Sequence, residues 1–111
     1  MAKIYLLESI YEGNAVYKIG FTKNSIESRI RQLSTGSIYT ITLVKYYETN
    51  KYHANIENLL HKHFYLQQIN KEWFYLSADD INNFIPLCDK YYNIVDNLYQ
   101  NNTYVQNRGR L

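Results

Sequence analysis

A lysine and a glycine two positions apart, followed by an arginine-bearing helix, are the first residues whose spacing suggests chemistry. They lie in the stretch VYKIGFTKNSIESRIRQL, residues 16–33. Side chains alternate along a strand, so Lys18 and Gly20 project to one face. Arg29 lies about one turn into the predicted helix and can point back over that strand, where its planar guanidinium suits a phosphate. The alternative is a solvated helix arginine.

A tyrosine in the preceding predicted strand joins this group. A turn at residues 12–14 pairs Tyr5 with a residue near Gly20, which makes Lys18 a cross-strand neighbour of Tyr5. A phenol, an ammonium group and open backbone then lie together. The alternative is that Tyr5 is an ordinary strand aromatic and Lys18 is solvated.

The stretch HANIENLLHKHF places three potential ligands on one edge of a predicted helix. His53, Glu57 and His61 follow one another at i, i+4 spacing. Glu57 lies at the margin of the apolar face, where burying its negative charge costs free energy unless a cation or metal ion pairs with it. Glu57 could bind one hard cation such as Mg²⁺, with water and substrate phosphate completing the shell. A zinc site formed by all three is the alternative, although the outer two lie ~12 Å apart along a straight helix.

Two neighbouring features are predicted to be structural. His63 lies nearer the middle of the apolar helix face and is expected to be a core or hydrogen-bonded histidine. In the segment EWFYL, residues 72–76, Trp73 and Phe74 are expected to anchor the core. Glu72 is expected to close a local hydrogen bond.

Composition bounds the class of protein. The chain has 111 residues, a net charge of +2 and one cysteine, Cys88, which excludes an intramolecular disulfide and a cysteine metal cluster. The small net charge means that any nucleic-acid contact must be local. The 13 tyrosines fit AT-rich codon usage, and hence a phage, a large DNA virus or a low-GC cell, better than a stacking surface. We find no signal peptide or apolar span, and expect an intracellular protein, in the host cytoplasm or nucleus if viral.

Periodicity predicts one α+β domain with a small antiparallel sheet covered by helices. Ser25 can cap the first helix, Ser34 to Ser37 should end it, and Pro86 should kink the last helix or start a new one. The polar tail ends with Arg108 and Arg110 and is expected to fray. The predicted elements are strands 3–9, 15–22 and 39–48, helices 26–33 and 52–65, an extended segment 72–76, and a helical region from 77 to 99.

The order of these pieces resembles the GIY-YIG nuclease superfamily. The residues that carry the resemblance are Ile4-Tyr5, Lys18-Ile19-Gly20, Arg29, Glu57 and the closing EWF. It is similar above all to the branch of small phage and viral domains grouped with the meiotically up-regulated gene 113 proteins, which often read KIG for YIG. The resemblance covers residues 3–86. It implies a nuclease domain at 1–86 and, at 87–111, a C-terminal helix extension packed on that domain with a polar tail.

The resemblance implies a fold, a reaction and a site. The fold is a three-stranded antiparallel sheet flanked by helices, and the reaction is cleavage of DNA phosphodiesters with one Mg²⁺ or Mn²⁺ ion. Tyr5 would activate the attacking water with help from the Lys18 cation, because an ordinary tyrosine of pKa near ~10 is a poor base at neutral pH. By the resemblance, Arg29 would stabilise the phosphate and Glu57 would bind the metal. His61 is not part of the resemblance, but it lies one turn from Glu57 and is the candidate to protonate the leaving group.

Three residues are predicted to contact phosphate: Gly20, Lys23 and Arg31.

Three features depart from the pattern of the family and bear on the expected catalytic rate more than on the fold. They are Lys3 in place of the first glycine, Leu33 where a histidine is often found, and one extra residue between Gly20 and Arg29.

Leu33 and Lys18 favour the alternative of a non-catalytic DNA-binding or assembly module. The presence of Tyr5, Arg29 and Glu57 together argues against it. A plain interaction domain that uses the tyrosine-rich surface is a third alternative. DNA is the expected partner, with specificity from a homodimer or a partner protein and with no membrane contact.

Overall fold

The central feature is a long β-hairpin, formed by the first two strands, which lies in the middle of the sheet. The computed structural model describes residues 1–36 and 39–101. In chain order the elements are β1 (Ala2–Tyr11), β2 (Asn14–Thr22), α1 (Ile26–Ser34), β3 (Thr42–Thr49), α2 (His53–His63), a 3-10 turn (Tyr65–Gln67), β4 (Gln68–Asn70), β5 (Trp73–Phe74), α3 (Ala78–Asn82) and α4 (Phe84–Asn101).

The hairpin turn sets the register of the central strands. Tyr11 pairs with Asn14, and the two residues between them, Glu12 (φ 51°) and Gly13 (φ 80°), both have left-handed backbone conformations. Such a turn matches the natural twist of two antiparallel strands. It aligns Tyr5 with Gly20, so the predicted register is confirmed.

The sheet is antiparallel, with strand order β3-β1-β2-β5-β4. The predicted α+β class is therefore confirmed, and the three strands that the resemblance implied are β3, β1 and β2. The short strands β5 and β4 extend this sheet to five: Trp73 pairs with Lys18 and Phe74 with Tyr17. The extended segment predicted at 72–76 contains β5, whereas β4 was not predicted because a strand of three residues shows no clear periodicity.

Both faces of the hairpin are covered. On one face α2 and α4 pack on the main core, whose fully buried members include Ile4, Leu6, Ile19, Ile56, Leu60, Phe64, Phe74, Phe84 and Cys88. On the other face α1 packs Ile26 against Tyr5 and Leu7. The candidate chemistry lies on and beside this α1 face.

The helix boundaries follow local capping chemistry. The Ser25 hydroxyl accepts the Ser28 amide at 3.1 Å and starts α1 as predicted. Ser77 and Asp80 form a reciprocal capping box at the start of α3. A new helix, α4, begins at Phe84, so Pro86 falls in its first turn, where proline is tolerated.

Helix α4 continues across residues 86–87, the end of the predicted nuclease domain. Phe84 and Cys88 lie on either side of that point, and both are fully buried in the main core.

Within the described residues, no helix is long and apolar enough to cross a membrane. The predictions for Ser37 and for the tail with Arg108 and Arg110 lie outside the described residues.

We predict that Gly20→Ala destabilises the domain by roughly 1–3 kcal/mol, the usual cost of overpacking a tight site. A Cβ at position 20 would lie 2.5 Å from the Tyr5 hydroxyl oxygen and 2.7 Å from Cζ. Chemical denaturation of the single variant and of the same change in a Tyr5→Ala background measures the coupling. An equal loss in both backgrounds would show that the Tyr5 ring is not the obstacle.

Candidate active site

Tyr5 lies flat across Gly20 on the α1 face of the hairpin. The two residues are directly opposed in β1 and β2, and only a residue without a Cβ leaves space for the phenol ring. The sequence pattern predicts open backbone at Gly20, but the Tyr5 ring fills this space. Gly20 positions Tyr5, and the contact of Gly20 with phosphate stays a prediction.

Arg29 covers the hydroxyl of this tyrosine. The Ser25 cap starts α1 so that Arg29, one turn later, reaches back over the strand as predicted. The Arg29 Nε donates a hydrogen bond to the Tyr5 hydroxyl oxygen at 3.2 Å, and its Nη1 donates to the Gln32 side chain at 3.3 Å. Tyr5 is consequently only 1% exposed, whereas Arg29 is half-buried and retains a path to solvent.

Opposing effects act on the pKa of Tyr5. Burial raises the pKa of the Tyr5 phenol above its ordinary value of 10.0, and the hydrogen bond and charge of Arg29 lower it. The carboxylates of Glu72 and Glu57 raise this pKa further, and the net direction is upward. The expectation that Lys18 supplies the cation at the hydroxyl needs correction, because the cation in contact is Arg29.

Lys18 is held elsewhere, between Glu72 and Trp73. Its Nζ forms an ion pair with the Glu72 carboxylate and lies 5.7 Å from the centre of the Trp73 ring. Lys18 is only 7% exposed, so the alternative of a solvated lysine is wrong. Its charge is neutralised inside the domain.

Glu72 is the residue whose importance sequence reasoning missed. It was expected to close a local hydrogen bond, but its carboxylate reaches Lys18, 54 positions away in sequence. Its backbone carbonyl also accepts the Ile19 amide at 3.1 Å. Its charge acts on Tyr5, Arg29 and Glu57 as well. A buried lysine requires a carboxylate partner, and this requirement is the signal from which the role of Glu72 could have been inferred.

The outer edge of β2 brings α2 into the site. Because β5 pairs with β2 at Tyr17 and Lys18, the outward-facing backbone groups beyond Lys18 need other partners. The Ile19 carbonyl accepts a hydrogen bond from His61 Nε2 at 2.9 Å, and the Phe21 backbone hydrogen-bonds to Glu57. The helix therefore completes the sheet edge with the two side chains that were predicted to do chemistry.

Glu57 is a half-buried carboxylate suited to a cation. Burial raises the pKa of Glu57 above its ordinary value and the Glu72 charge adds to this effect, while His61, Lys18 and the Phe21 hydrogen bond lower it. Among residues 1–36 and 39–101, no cationic side chain forms an ion pair with Glu57. A hard cation at this oxygen would compensate the burial, so the residue fits the predicted Mg²⁺ or Mn²⁺ ligand.

The alternative of a zinc site formed by His53, Glu57 and His61 receives no support. In the described part of the chain, no group of three or more histidine, cysteine or acidic side chains could hold a metal ion. His61 Nε2 is engaged with the Ile19 carbonyl. His53 packs its ring against Phe21, with centroids 4.6 Å apart, and its buried Nδ1 has no hydrogen-bond partner among the described residues.

Two predicted phosphate ligands lie apart from these contacts. Lys23 is exposed in the connection between β2 and α1. Arg31 is exposed on α1, where its Nη2 donates to the Ser28 hydroxyl at 3.2 Å. Leu33, at the position where a histidine is often found, packs beside Ile30 against the Tyr5 layer. Neither cation contacts the cluster formed by Tyr5 and its partners, and their roles stay predictions.

These contacts define a small α+β domain in which polar side chains from both hairpin strands, α1, α2 and the β4–β5 turn meet at one end of the hairpin. The T5orf172 domain family matches residues 2–88, and the chain belongs to this family. No curated protein and no solved structure matches the chain.

We predict that Glu72→Gln lowers the free energy of unfolding by about 1–3 kcal/mol, because it leaves the buried Lys18 ammonium without its counter-charge. Lys18→Met should cost less, since Glu72 is 37% exposed in its side chain and can be solvated. Urea denaturation measures both, with Lys51→Met as the ion-pair control, because the Lys51 side chain is 42% exposed in its pair with Asp96. If Glu72→Gln behaves like that control, the pair is not a structural requirement.

We predict that Glu57→Gln stabilises the domain at neutral pH. The raised pKa means that the folded state binds this proton more tightly than the unfolded chain, so ionisation costs stability. That cost grows as the pH rises from 4.5 through the raised pKa and is constant above it. Thermal denaturation between pH 4 and 8 should show the gain at pH 7 and its disappearance at the acidic end. A gain independent of pH would contradict this origin.

Proposed function

We propose that this T5orf172 domain is a metal-dependent endonuclease that hydrolyses DNA phosphodiesters, as the resemblance to GIY-YIG nucleases implies. One observation carries the proposal: Tyr5, Arg29 and Glu57, which lie far apart in sequence, fall within one electrostatic cluster at the end of β2. A phenol, a guanidinium and a carboxylate that forms no ion pair among residues 1–36 and 39–101 are groups that can move a proton, bind phosphate and bind a cation, respectively.

Arg29 is assigned to the phosphate. Its Nε is used by Tyr5, but the exposed contact of Nη1 with Gln32 can be exchanged for a phosphate oxygen. Arginine is well suited to this because its donors are arranged as a planar fork. The same residue then orients Tyr5 and neutralises charge that develops on the phosphate.

Tyr5 is assigned as the group that takes a proton from the attacking water at its hydroxyl oxygen. The neighbouring Arg29 charge stabilises the phenolate that this role requires. Since the net pKa of Tyr5 lies above 10.0, the phenolate fraction increases tenfold per pH unit through the neutral range. His61 is assigned to the leaving group; its Nε2 donates to Ile19, so Nδ1 is the atom available for proton transfer.

Glu57 is assigned to the metal. Mg²⁺ or Mn²⁺, when bound there, would supply Lewis-acid stabilisation to the phosphate and leaving oxygens. Glu72 lies within electrostatic reach of Glu57 and adds to the negative potential that attracts the cation. Lys18 limits that potential through its ion pair with Glu72.

The direct test is nicking of supercoiled plasmid by the purified chain with Mg²⁺ or with EDTA. We expect metal-dependent nicking, a loss of at least about 100-fold in Glu57→Gln and Arg29→Ala, and no loss in Glu48→Gln, an exposed carboxylate on β3. Added Mg²⁺ should raise the melting temperature of the native chain but not of Glu57→Gln. Nicking that survives in Glu57→Gln would refute the metal assignment.

The pH dependence tests Tyr5 separately. We expect the nicking rate to rise steadily from pH 6 to pH 9 because more phenolate forms as the pH approaches the raised pKa of Tyr5. Tyr5→Phe should remove most of the activity and this slope together. A plateau below pH 8 would assign the base to another group.

A second candidate function is DNA binding without cleavage. The observation in its favour is the 1% exposure of Tyr5, whose hydroxyl is covered by Arg29, together with the upward pKa of the phenol. Salt-dependent DNA binding with no nicking under any metal condition would select this function. In either case DNA is the proposed partner, and a homodimer or a partner protein would add specificity.

A further inference from the structure

A cleft of about 330 Å³ opens on the α1 face beside the candidate active site. Ser9 and Val16, both almost fully buried, lie at its base near the turn end of the hairpin. Leu33, Asn70 and Trp73 line its sides, and Tyr11, 42% exposed, lies at its opening. The volume is at the lower end of the range for small-molecule pockets, about 300–1,000 Å³.

The cleft lies along the same face of the hairpin as the candidate phosphate site, and two of its lining residues, Trp73 and Leu33, are neighbours of that site. Trp73 pairs with Lys18, whose Nζ lies 5.7 Å from the indole ring. Leu33 lies one turn after Arg29 on α1. Ser9 is four residues from Tyr5 on the same face of β1, a distance of ~13 Å along a strand. A strand whose phosphate contacts Arg29 would therefore carry its neighbouring nucleotides toward the cleft.

The lining selects a planar, uncharged ligand with polar edges. Trp73 and Tyr11 provide aromatic surface and Val16 and Leu33 provide aliphatic surface, while the Asn70 amide can both donate and accept hydrogen bonds. None of the described residues that line the cleft is charged. A nucleobase has this combination of a π face and hydrogen-bonding edges, and its phosphate matches the adjacent Arg29 charge. A base inside a duplex is stacked and paired and cannot enter such a cleft.

We propose that this cleft binds one unpaired nucleobase, so that the preferred ligand of the domain is DNA with a single-stranded segment. The inference rests on the proposed function only in taking DNA as the ligand, and it does not require cleavage.

The experiment uses the fluorescence of Trp73, the only tryptophan in the chain. The full chain is titrated, in EDTA so that nothing is cleaved, with a 15-nucleotide oligo(dT) strand and with a 15-base-pair duplex. We expect saturable quenching by the single strand and at least tenfold weaker binding of the duplex.

Two variants assign the binding to the cleft. Asn70→Ala keeps Trp73 and should weaken oligo(dT) binding about fivefold, whereas Asn93→Ala, a matched change at an exposed position of α4, should have no effect. Tyr11→Ala should weaken binding about tenfold because stacking is lost. Binding of this variant is measured by the fluorescence anisotropy of labelled oligo(dT). Circular dichroism confirms that each variant is folded.

Three outcomes overturn the proposal: no binding of oligo(dT), equal affinity for single strand and duplex, or equal effects of the Asn70 and Asn93 variants. The result is separable from the nuclease test. Quenching by oligo(dT) without plasmid nicking would keep the base site and reject the nuclease. Nicking without any preference for the single strand would keep the nuclease and reject the base site.

Discussion

The packing of the Tyr5 ring across Gly20 is the constraint on which the site depends. A slip of the hairpin by one residue would place a side chain where the ring lies and would turn the apolar residues of β2 toward the opposite face. The tight turn at Glu12 and Gly13 and this close contact therefore specify the same register from opposite ends of the hairpin. With the register set, Lys18 must face the α1 side and Ile19 must enter the main core.

The two cations near Tyr5 are used in different ways. Lys18 is buried against Glu72 and Trp73, where its charge is cancelled and its main effect is to join β5 to β2. Arg29 contacts the phenol and keeps part of its guanidinium accessible. Lys18 is thus a structural cation, whereas Arg29 contacts Tyr5 and remains partly exposed.

The α2 helix combines support of the fold with the candidate chemistry. His61 and Glu57 hydrogen-bond to the β2 backbone beyond Lys18, where the pairing with β5 has ended, so both are held in place by bonds that the fold itself requires. The burial that fixes Glu57 also raises its pKa, and a bound cation would relieve this cost. The ionised carboxylate of Glu57 therefore costs stability in the folded domain, a trade-off that is common for functional sites. The cleft proposed to bind a nucleobase lies on the α1 face of the same hairpin.

Local patterns alone determined most of the fold. Alternation of apolar residues, the turn at Glu12 and Gly13, the Ser25 cap and the helical spacing of Ile56 and Leu60 act over a few residues, and the structure contains the hairpin, α1 and α2 that they predict. The same patterns also identified Tyr5, Arg29 and Glu57 as residues worth testing. These predictions succeeded because periodicity and capping are properties of neighbouring residues.

Only the tertiary structure decided which of these residues meet. The Lys18 contact with Glu72, the Arg29 contact with Tyr5 and the approach of α2 to the open edge of β2 join segments that are distant in sequence. Their partners depend on how the short β5 strand and the helices pack on the hairpin, and no local pattern encodes that choice. The burial that shifts the pKa values of Tyr5 and Glu57 has the same origin, because desolvation exists only after these elements pack together.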